Sequence, residues 1–245
     1  MQKHKILNLL VIISLLLCLN CRKDDVEINN VSDFESFIEL EMENQNIPAL
    51  SVLIFKGETI LYEKYFGHSN IEQNLKLESN HLFLIASTSK IITSIAILQL
   101  FDNGYFDLDD NINDYLPFNV NIPDYAEQIT FRMLLTHTSG IADNWEILDG
   151  QYYYEQDPEI VLSYFIENYL STNGSFYDEN DNFYDFQPGT IHEYSNIGSA
   201  LLGVLVENIS GQDFNTYCKE NIFSPLEMNN SFWRLDEISQ TIATP

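Results

Sequence analysis

Two strongly apolar stretches, each opened by a compact polar motif, constrain this chain more than any other feature. One follows Ser87-Thr88-Ser89-Lys90 and runs to about Asp102; the other follows Tyr194 and runs from Ser195 to Ile209. Their lengths and composition predict two helices that are apolar nearly all round, and such helices are buried. Whatever domain forms must be organised around them, with the polar starts held rigidly at the edge of a cleft.

The polar starts carry chemistry. Residues three apart on a helix share a face, so the Lys90 amine can reach the Ser87 hydroxyl. A helix start adds backbone N–H groups and the positive dipole end, which favour developing negative charge. A lysine entering a poorly solvated place has its charged form disfavoured, and the neutral amine can activate a serine. By itself a Ser-x-x-Lys spacing also arises by chance. Tyr194-Ser195-Asn196 follows a Gln187-Pro188-Gly189 turn and offers a phenol and an amide. Next to Lys90 the ionised phenol would be favoured, making Tyr194 a possible proton shuttle. Asn196 could orient the lysine or a substrate amide. Alone, Tyr194 reads better as a tyrosine capping a core with its hydroxyl hydrogen-bonded.

The rest of the chain organises around these motifs. Helical spacing begins at Ser32 or Asp33 and ends at Pro48. Ala49–Phe55 and Thr59–Phe66 are predicted strands of a hairpin turning at Lys56-Gly57-Glu58. Further helices are expected over Ile129–Leu135, Pro158–Leu170 and Phe214–Phe223, and the polar stretch Ser171–Gln187 reads as a long loop.

Taken together, Ser87–Lys90 and Tyr194–Asn196 resemble the first and second motifs of the serine β-lactamase and penicillin-binding-protein superfamily, in the form used by its class C β-lactamase, DD-peptidase and esterase branch. Three further segments are similar to that branch: Leu134-Leu135-Thr136-His137-Thr138-Ser139-Gly140, Phe186-Gln187-Pro188-Gly189-Thr190, and Ile222-Phe223-Ser224-Pro225-Leu226-Glu227-Met228. The resemblance implies an α+β fold, a β-lactamase/DD-peptidase-like antiparallel sheet flanked by helices plus a helical subdomain. It implies Ser87 as nucleophile, Lys90 as general base or proton relay, Tyr194 as second acid/base and Asn196 as a substrate-positioning residue. One oxyanion donor would be the Ser87 N–H. The other normally comes from a later strand carrying a Lys/His-Thr/Ser-Gly or His-x-Gly motif. No such strand follows before Pro245, so the C-terminal strands are expected to be missing from this chain. Ser171-Thr172-Asn173 is a rival for the second motif that lacks a following apolar helix, and His137-Thr138-Ser139-Gly140 belongs to an earlier loop.

Composition bounds the rest. With 245 residues, 45% of them hydrophobic, the chain can bury one sizeable core. Its 37 acidic and 11 basic residues give a net charge of −26, which repels nucleic acid. Only Arg132, Lys219 and Arg234 are basic beyond Lys90, leaving no evident anchor for a substrate carboxylate. His4, His68, His81, His137 and His192 show no metal-ligand spacing, so neither a metal nor a cofactor is expected. Lys3 and Lys5, the apolar run Leu9–Leu17 and Cys18-Leu19-Asn20-Cys21 read as an export signal over residues 1–21. Leu17–Cys21 resembles a loose lipobox, which marks Cys21 as the lipidated residue of an exported, envelope-anchored lipoprotein, and Arg22-Lys23-Asp24-Asp25 resembles the charged tag of surface-exposed ones. Residues 22–32 would be a tether and 33–245 the hydrolase domain. An ordinary cleaved signal is the alternative. Cys218, the one cysteine then left, reads as a buried structural thiol.

The function expected is that of a serine hydrolase working through an acyl-enzyme on an ester, amide or β-lactam bond. Its partners would be a small-molecule or peptide substrate, and the membrane through the lipid anchor only. The competing expectation is a catalytically silent binding lipoprotein that keeps the cleft without turnover.

Overall fold

The structure, a computed structural model, describes residues 28–153 and 155–238, which form two compact units divided at His81 and Leu82. The expected export signal, Cys21 and the first part of the tether lie outside the described residues.

Residues 28–81 form the first unit. Helix α1, Val31–Gln45, is capped by Asn30, whose Oδ1 accepts from Asp33 N at 3.0 Å. The cap therefore lies two residues before Ser32 and three before Asp33, the caps expected from sequence, because Asn30 occupies the extended conformation that N-caps require. Asn46, at φ +54°, closes the helix before Pro48. Strands β1, Ala49–Lys56, and β2, Thr59–Asn70, pair antiparallel from Ala49↔Gly67 to Lys56↔Thr59. Gly57, at φ +58°, takes the first of the two loop positions, where a positive φ is required. A short strand β3, Leu75–Lys76, extends the sheet along β2. The helix is tied to the hairpin by Phe34 edge-on to Tyr62 at 5.7 Å and by Glu35, which accepts from Tyr62 OH at 3.1 Å and pairs with Lys64 at 2.5 Å. Gly67 is obligatory here: at φ +77°, a Cβ would sit 2.1 Å from the Pro48 carbonyl oxygen.

Residues 82–238 form the second, helical unit. Its helices are α2 (Lys90–Asp102), α3 (Phe131–Leu135), α4 (Trp145–Leu148), α5 (Leu162–Leu170), α6 (Asn196–Ser210) and α7 (Phe214–Cys218). Helix α6 is central, with α2, α3, α5 and α7 packed on it, and buries Ile197, Leu201, Leu202, Val204, Leu205 and Val206. Phe106 stacks on Phe131 at 3.8 Å to complete the core. None of these helices is long and apolar enough to cross a membrane.

Four elements differ from expectation. The helix expected from Pro158 begins at Leu162, after Val161 in an extended conformation, and the one expected from Ile129 begins at Phe131, behind the Thr130 cap. The helix expected over Phe214–Phe223 changes at Cys218 into π-helical turns over Lys219–Phe223. Cys218 is buried, and burial pushes its thiol up to about 11. Helix α2 is not enclosed: Ile91, Ile95 and Leu98, spaced along one side, remain exposed, with Ile91 at 58%. Its composition marks every face as apolar, yet α6 and the turns over Lys219–Phe223 cover only the side carrying Ala96, Ile97 and Leu100.

The segment 171–187 is indeed irregular, but it is pinned rather than loose. Asn182, fully buried, donates to Tyr169 O at 2.9 Å and Phe176 O at 2.7 Å, and accepts from Asn144 Nδ2 at 3.0 Å. Tyr169 OH in turn accepts from Asn144 N at 2.7 Å and donates to Ala142 O at 3.0 Å. Buried polar groups satisfied in this way fix a single backbone path.

Candidate active site

Ser87 lies in a 3-10 turn, Ala86–Ser89, three residues ahead of α2. The α-helix proper thus starts at Lys90 rather than at Ser87, but the three-residue spacing still places both side chains on one side. Lys90 Nζ is 3.3 Å from Ser87 Oγ. Ala86, immediately before the serine, sits at φ +44°, a left-handed conformation that costs a non-glycine residue energy and is stabilised here by the turn around it. Ser89 Oγ donates to Ala86 O at 2.7 Å and closes that turn.

The second motif meets the first. Tyr194 OH donates to Ser87 Oγ at 2.8 Å, and Lys90 Nζ donates to Asn196 Oδ1 at 2.7 Å. Lys90 Nζ also lies 5.0 Å from the centre of the Tyr194 ring. Ser195, between them, turns the other way and caps α6, accepting from Gly198 N at 2.8 Å. Alternate residues of one short motif therefore serve the cleft, the helix and the cleft again.

Asp143 was not singled out by sequence reasoning, and it holds this arrangement. Its carboxylate accepts from Asn196 N at 2.8 and 3.0 Å, Ile197 N at 3.0 Å, Asn196 Nδ2 at 2.7 Å and Ser195 Oγ at 3.4 Å. It sits where a helix N-terminus presents unpaired N–H groups, the place a carboxylate is best accommodated. Because the Asn196 Nδ2 must face Asp143, its Oδ1 must face Lys90. Each end of the Asn196 amide thus has one partner, and in this arrangement the residue orients the lysine, with a second N–H and a second lone pair unused by these bonds. The available signal for Asp143 was an acid directly behind the apolar pair Ile141-Ala142 that follows the His137–Gly140 loop.

That loop is joined to the second motif along its length. Gly189 N donates to Thr138 O at 2.7 Å and Glu193 N to His137 O at 2.8 Å, while His137 Nδ1 accepts from Ser195 N at 3.3 Å. The His137 ring packs 4.6 Å from the Tyr194 ring, with His192 6.0 Å beyond it. His137 is thus a structural neighbour of the phenol. Ser171-Thr172-Asn173 lines a separate cavity instead.

The electrostatics follow from these contacts. Burial pushes the Tyr194 phenol up, but hydrogen bonds with Lys90 and Ser87 and the lysine charge outweigh it, so its pKa falls below the usual tyrosine value. Tyr194 keeps 43% of its surface exposed, open to an incoming substrate. Burial, then the charges of His192 and Lys90, lowers the His137 pKa, with Asp143 opposing. Among the described residues, no three His, Cys, Asp or Glu side chains group to hold a metal. A hydroxyl flanked by an amine and an acidified phenol can be deprotonated and attack a carbonyl.

A family model described as Beta-lactamase matches residues 34–244. The chain is 29% identical over 203 residues to protein flp of Staphylococcus aureus strain NCTC 8325, covering 82% of this chain and 38% of that protein. It is 32% identical over 183 residues to penicillin-binding protein 4* of Bacillus subtilis strain 168, covering 74% and 37%. The chain therefore spans well under half the length of these curated relatives. Among solved structures, the octameric penicillin-binding protein homologue from Pyrococcus abyssi superimposes with a TM-score of 0.69 at 26% identity, over 88% of this chain and 47% of that one.

Proposed function

Because the chain belongs to the β-lactamase family, whose fold it shares, we propose that it is a serine hydrolase forming an acyl-enzyme on Ser87. The observation that carries this reading is the convergence of Tyr194 OH at 2.8 Å and Lys90 Nζ at 3.3 Å on one hydroxyl oxygen. In the proposed cycle, the Tyr194–Lys90 pair takes the Ser87 proton as Oγ bonds to the substrate carbonyl carbon. The same proton is returned to the departing alcohol or amine as the carbonyl re-forms. Water then repeats the sequence in reverse order of groups and frees the acid. Asn196, held by Asp143, keeps Lys90 aimed at Ser87 throughout.

Substrate choice follows from charge. Every basic side chain of the second unit other than Lys90 is engaged: Arg132 with Asp109 at 2.7 Å, Lys219 with Glu237 at 2.5 Å and Arg234 with Asp236 at 2.7 Å. Within the described residues of that unit this leaves no free cation beside Lys90 for a substrate carboxylate, which favours an ester or amide lacking one over a β-lactam. Export as a lipoprotein lipidated on Cys21 belongs to the same proposal and rests on the N-terminal sequence alone.

The test is labelling with a fluorescent fluorophosphonate and with a fluorescent penicillin, alongside p-nitrophenyl acetate turnover. Fluorophosphonate should label the wild-type chain and not Ser87→Ala. Equal labelling of both would remove Ser87 from the mechanism. Labelling of wild type without ester turnover would favour the silent binding protein.

A further inference from the structure

A second cavity, of about 460 Å³, lies in the helical unit and contains none of Ser87, Lys90, Tyr194 or Asn196. One wall is the stretch 118–122, in which Phe118, Val120 and Ile122 are buried while Asn119 and Asn121 are exposed. Alternation of that kind turns both asparagines to the same side. The wall is fixed, since Val120 donates to Asn113 Oδ1 at 2.8 Å and accepts from Asn113 Nδ2 at 3.0 Å.

The rest of the lining comes from the end of α5 and the tight loop after it, which is likewise pinned. Asn168 Oδ1 accepts from Ser175 N at 3.1 Å and Ser175 Oγ at 3.2 Å, and Gly174 N donates to Ser171 O at 2.8 Å. A Cβ on Gly174 would fall 2.0 Å from Asn168 O, so the loop closes on its own helix with no room to spare. Its tip presents Thr172 and Asn173 to the cavity. The side chains of Asn119, Asn121, Thr172 and Asn173 make no hydrogen bond within the described residues. Ser171 also lines the cavity, and its buried Oγ has no hydrogen-bond partner, an orphan that ordinarily has an explanation.

The chemistry of this lining selects its ligand. Glu167 is its sole charged side chain, and the chain's net charge of −26 disfavours an anion. A hard cation would need several carboxylate or carbonyl oxygens converging on one point, and one carboxylate is too few. A peptide held through its backbone is ordinarily taken up along a strand edge, and no strand borders this cavity. Amide side chains offer a donor and an acceptor each, and hydroxyls likewise, which matches the paired donors and acceptors of adjacent sugar hydroxyls. We propose that this cavity binds a neutral sugar unit, separately from the Ser87 site, with Asn119, Asn121 and Asn173 as its principal contacts. Rigid walls make such binding effective because little ordering is left to lose.

The test is titration of the ¹⁵N-labelled chain with maltotriose, with its acetamido-bearing counterpart chitotriose and with trialanine, reading the side-chain amide resonances. Saturable shifts of the Asn119, Asn121 and Asn173 amides with at least one of the sugars are expected. The pair Asn121→Leu and Asn173→Leu should weaken that binding by about tenfold or more, two hydrogen bonds being lost. The rate of Ser87 labelling should not change. Should the leucine pair fail to fold, Asn121→Ser with Asn173→Ser gives the same readout with smaller side chains. Absence of saturable shifts with both sugars, shifts confined to other residues, or binding of trialanine in their place would overturn the proposal.

Discussion

Asp143 grips Asn196 at two points, its backbone N–H, shared between both carboxylate oxygens at 2.8 and 3.0 Å, and its side-chain amide at 2.7 Å, so the residue that orients Lys90 is itself oriented from outside the cleft. Nucleophile, amine and phenol lie on two helix starts, and a carboxylate behind the second start holds the Asn196 whose Oδ1 reaches Lys90. Removing it should therefore act on geometry and on stability together. In Asp143→Ala, the N–H groups of Asn196 and Ile197 lose their acceptor, costing about 2–4 kcal/mol for several hydrogen bonds to one charged group. A lower melting temperature and at least a tenfold slower fluorophosphonate labelling are expected. A variant that melts earlier yet labels at the wild-type rate would show that Asp143 supports the fold without aligning the site.

Lys90 and Tyr194 both touch Ser87 Oγ and lie against each other, which makes them one proton-transfer unit. Lys90→Ala and Tyr194→Phe should each slow acylation by roughly two to four orders of magnitude. The double variant should be little worse than the poorer single one, because members of a unit are not additive. Losses that multiply fully in single-turnover measurements would show two independent contributions.

The lowered pKa of Tyr194 gives a pH dependence of definite sign. A tyrosine is active as a base when ionised, so acylation should rise with pH and level off below the ordinary tyrosine value of about 10. Tyr194→Phe should remove that rising limb while leaving residual activity that varies less with pH. An unchanged limb in the variant would assign the titration to another group.

Much of this site could be read from the residues alone. The apolar helices behind Ser87–Lys90 and Tyr194–Asn196 were legible because a period of 3.6 with so few polar interruptions admits little else. The hairpin was legible from Gly57 between β-rich runs. Asp143 was not, because its importance lies in facing a helix start more than fifty residues away, and an acid behind the apolar pair Ile141-Ala142 is a weak signal in a chain with 37 acidic residues. The openness of α2 was equally hidden, since composition shows which faces are apolar but not which neighbours arrive to cover them. The change of helix type at Cys218 and the cap at Asn30 are boundary effects, set by tertiary packing and by single side-chain hydrogen bonds.

His137 yields the last prediction. Its ring is packed against Tyr194 and accepts from Ser195 N, so folding favours the neutral imidazole, and its pKa is lowered by burial first and by His192 and Lys90 after it. A group whose pKa is depressed on folding binds its proton more readily in the unfolded chain. It therefore contributes stability that is present above the unfolded value of about 6.5 and is lost as pH falls through the lower folded value. Protonation would also remove the Nδ1 acceptor beneath the second motif, so labelling of Ser87 should weaken over the same acidic range. His137→Asn is the informative variant, because asparagine tolerates the φ of +53° found here and offers an oxygen acceptor that does not titrate. Melting temperatures measured from pH 7.5 down to pH 5 should fall more steeply for wild type than for His137→Asn. Parallel curves for the two proteins would show that His137 does not govern the acid sensitivity of this site.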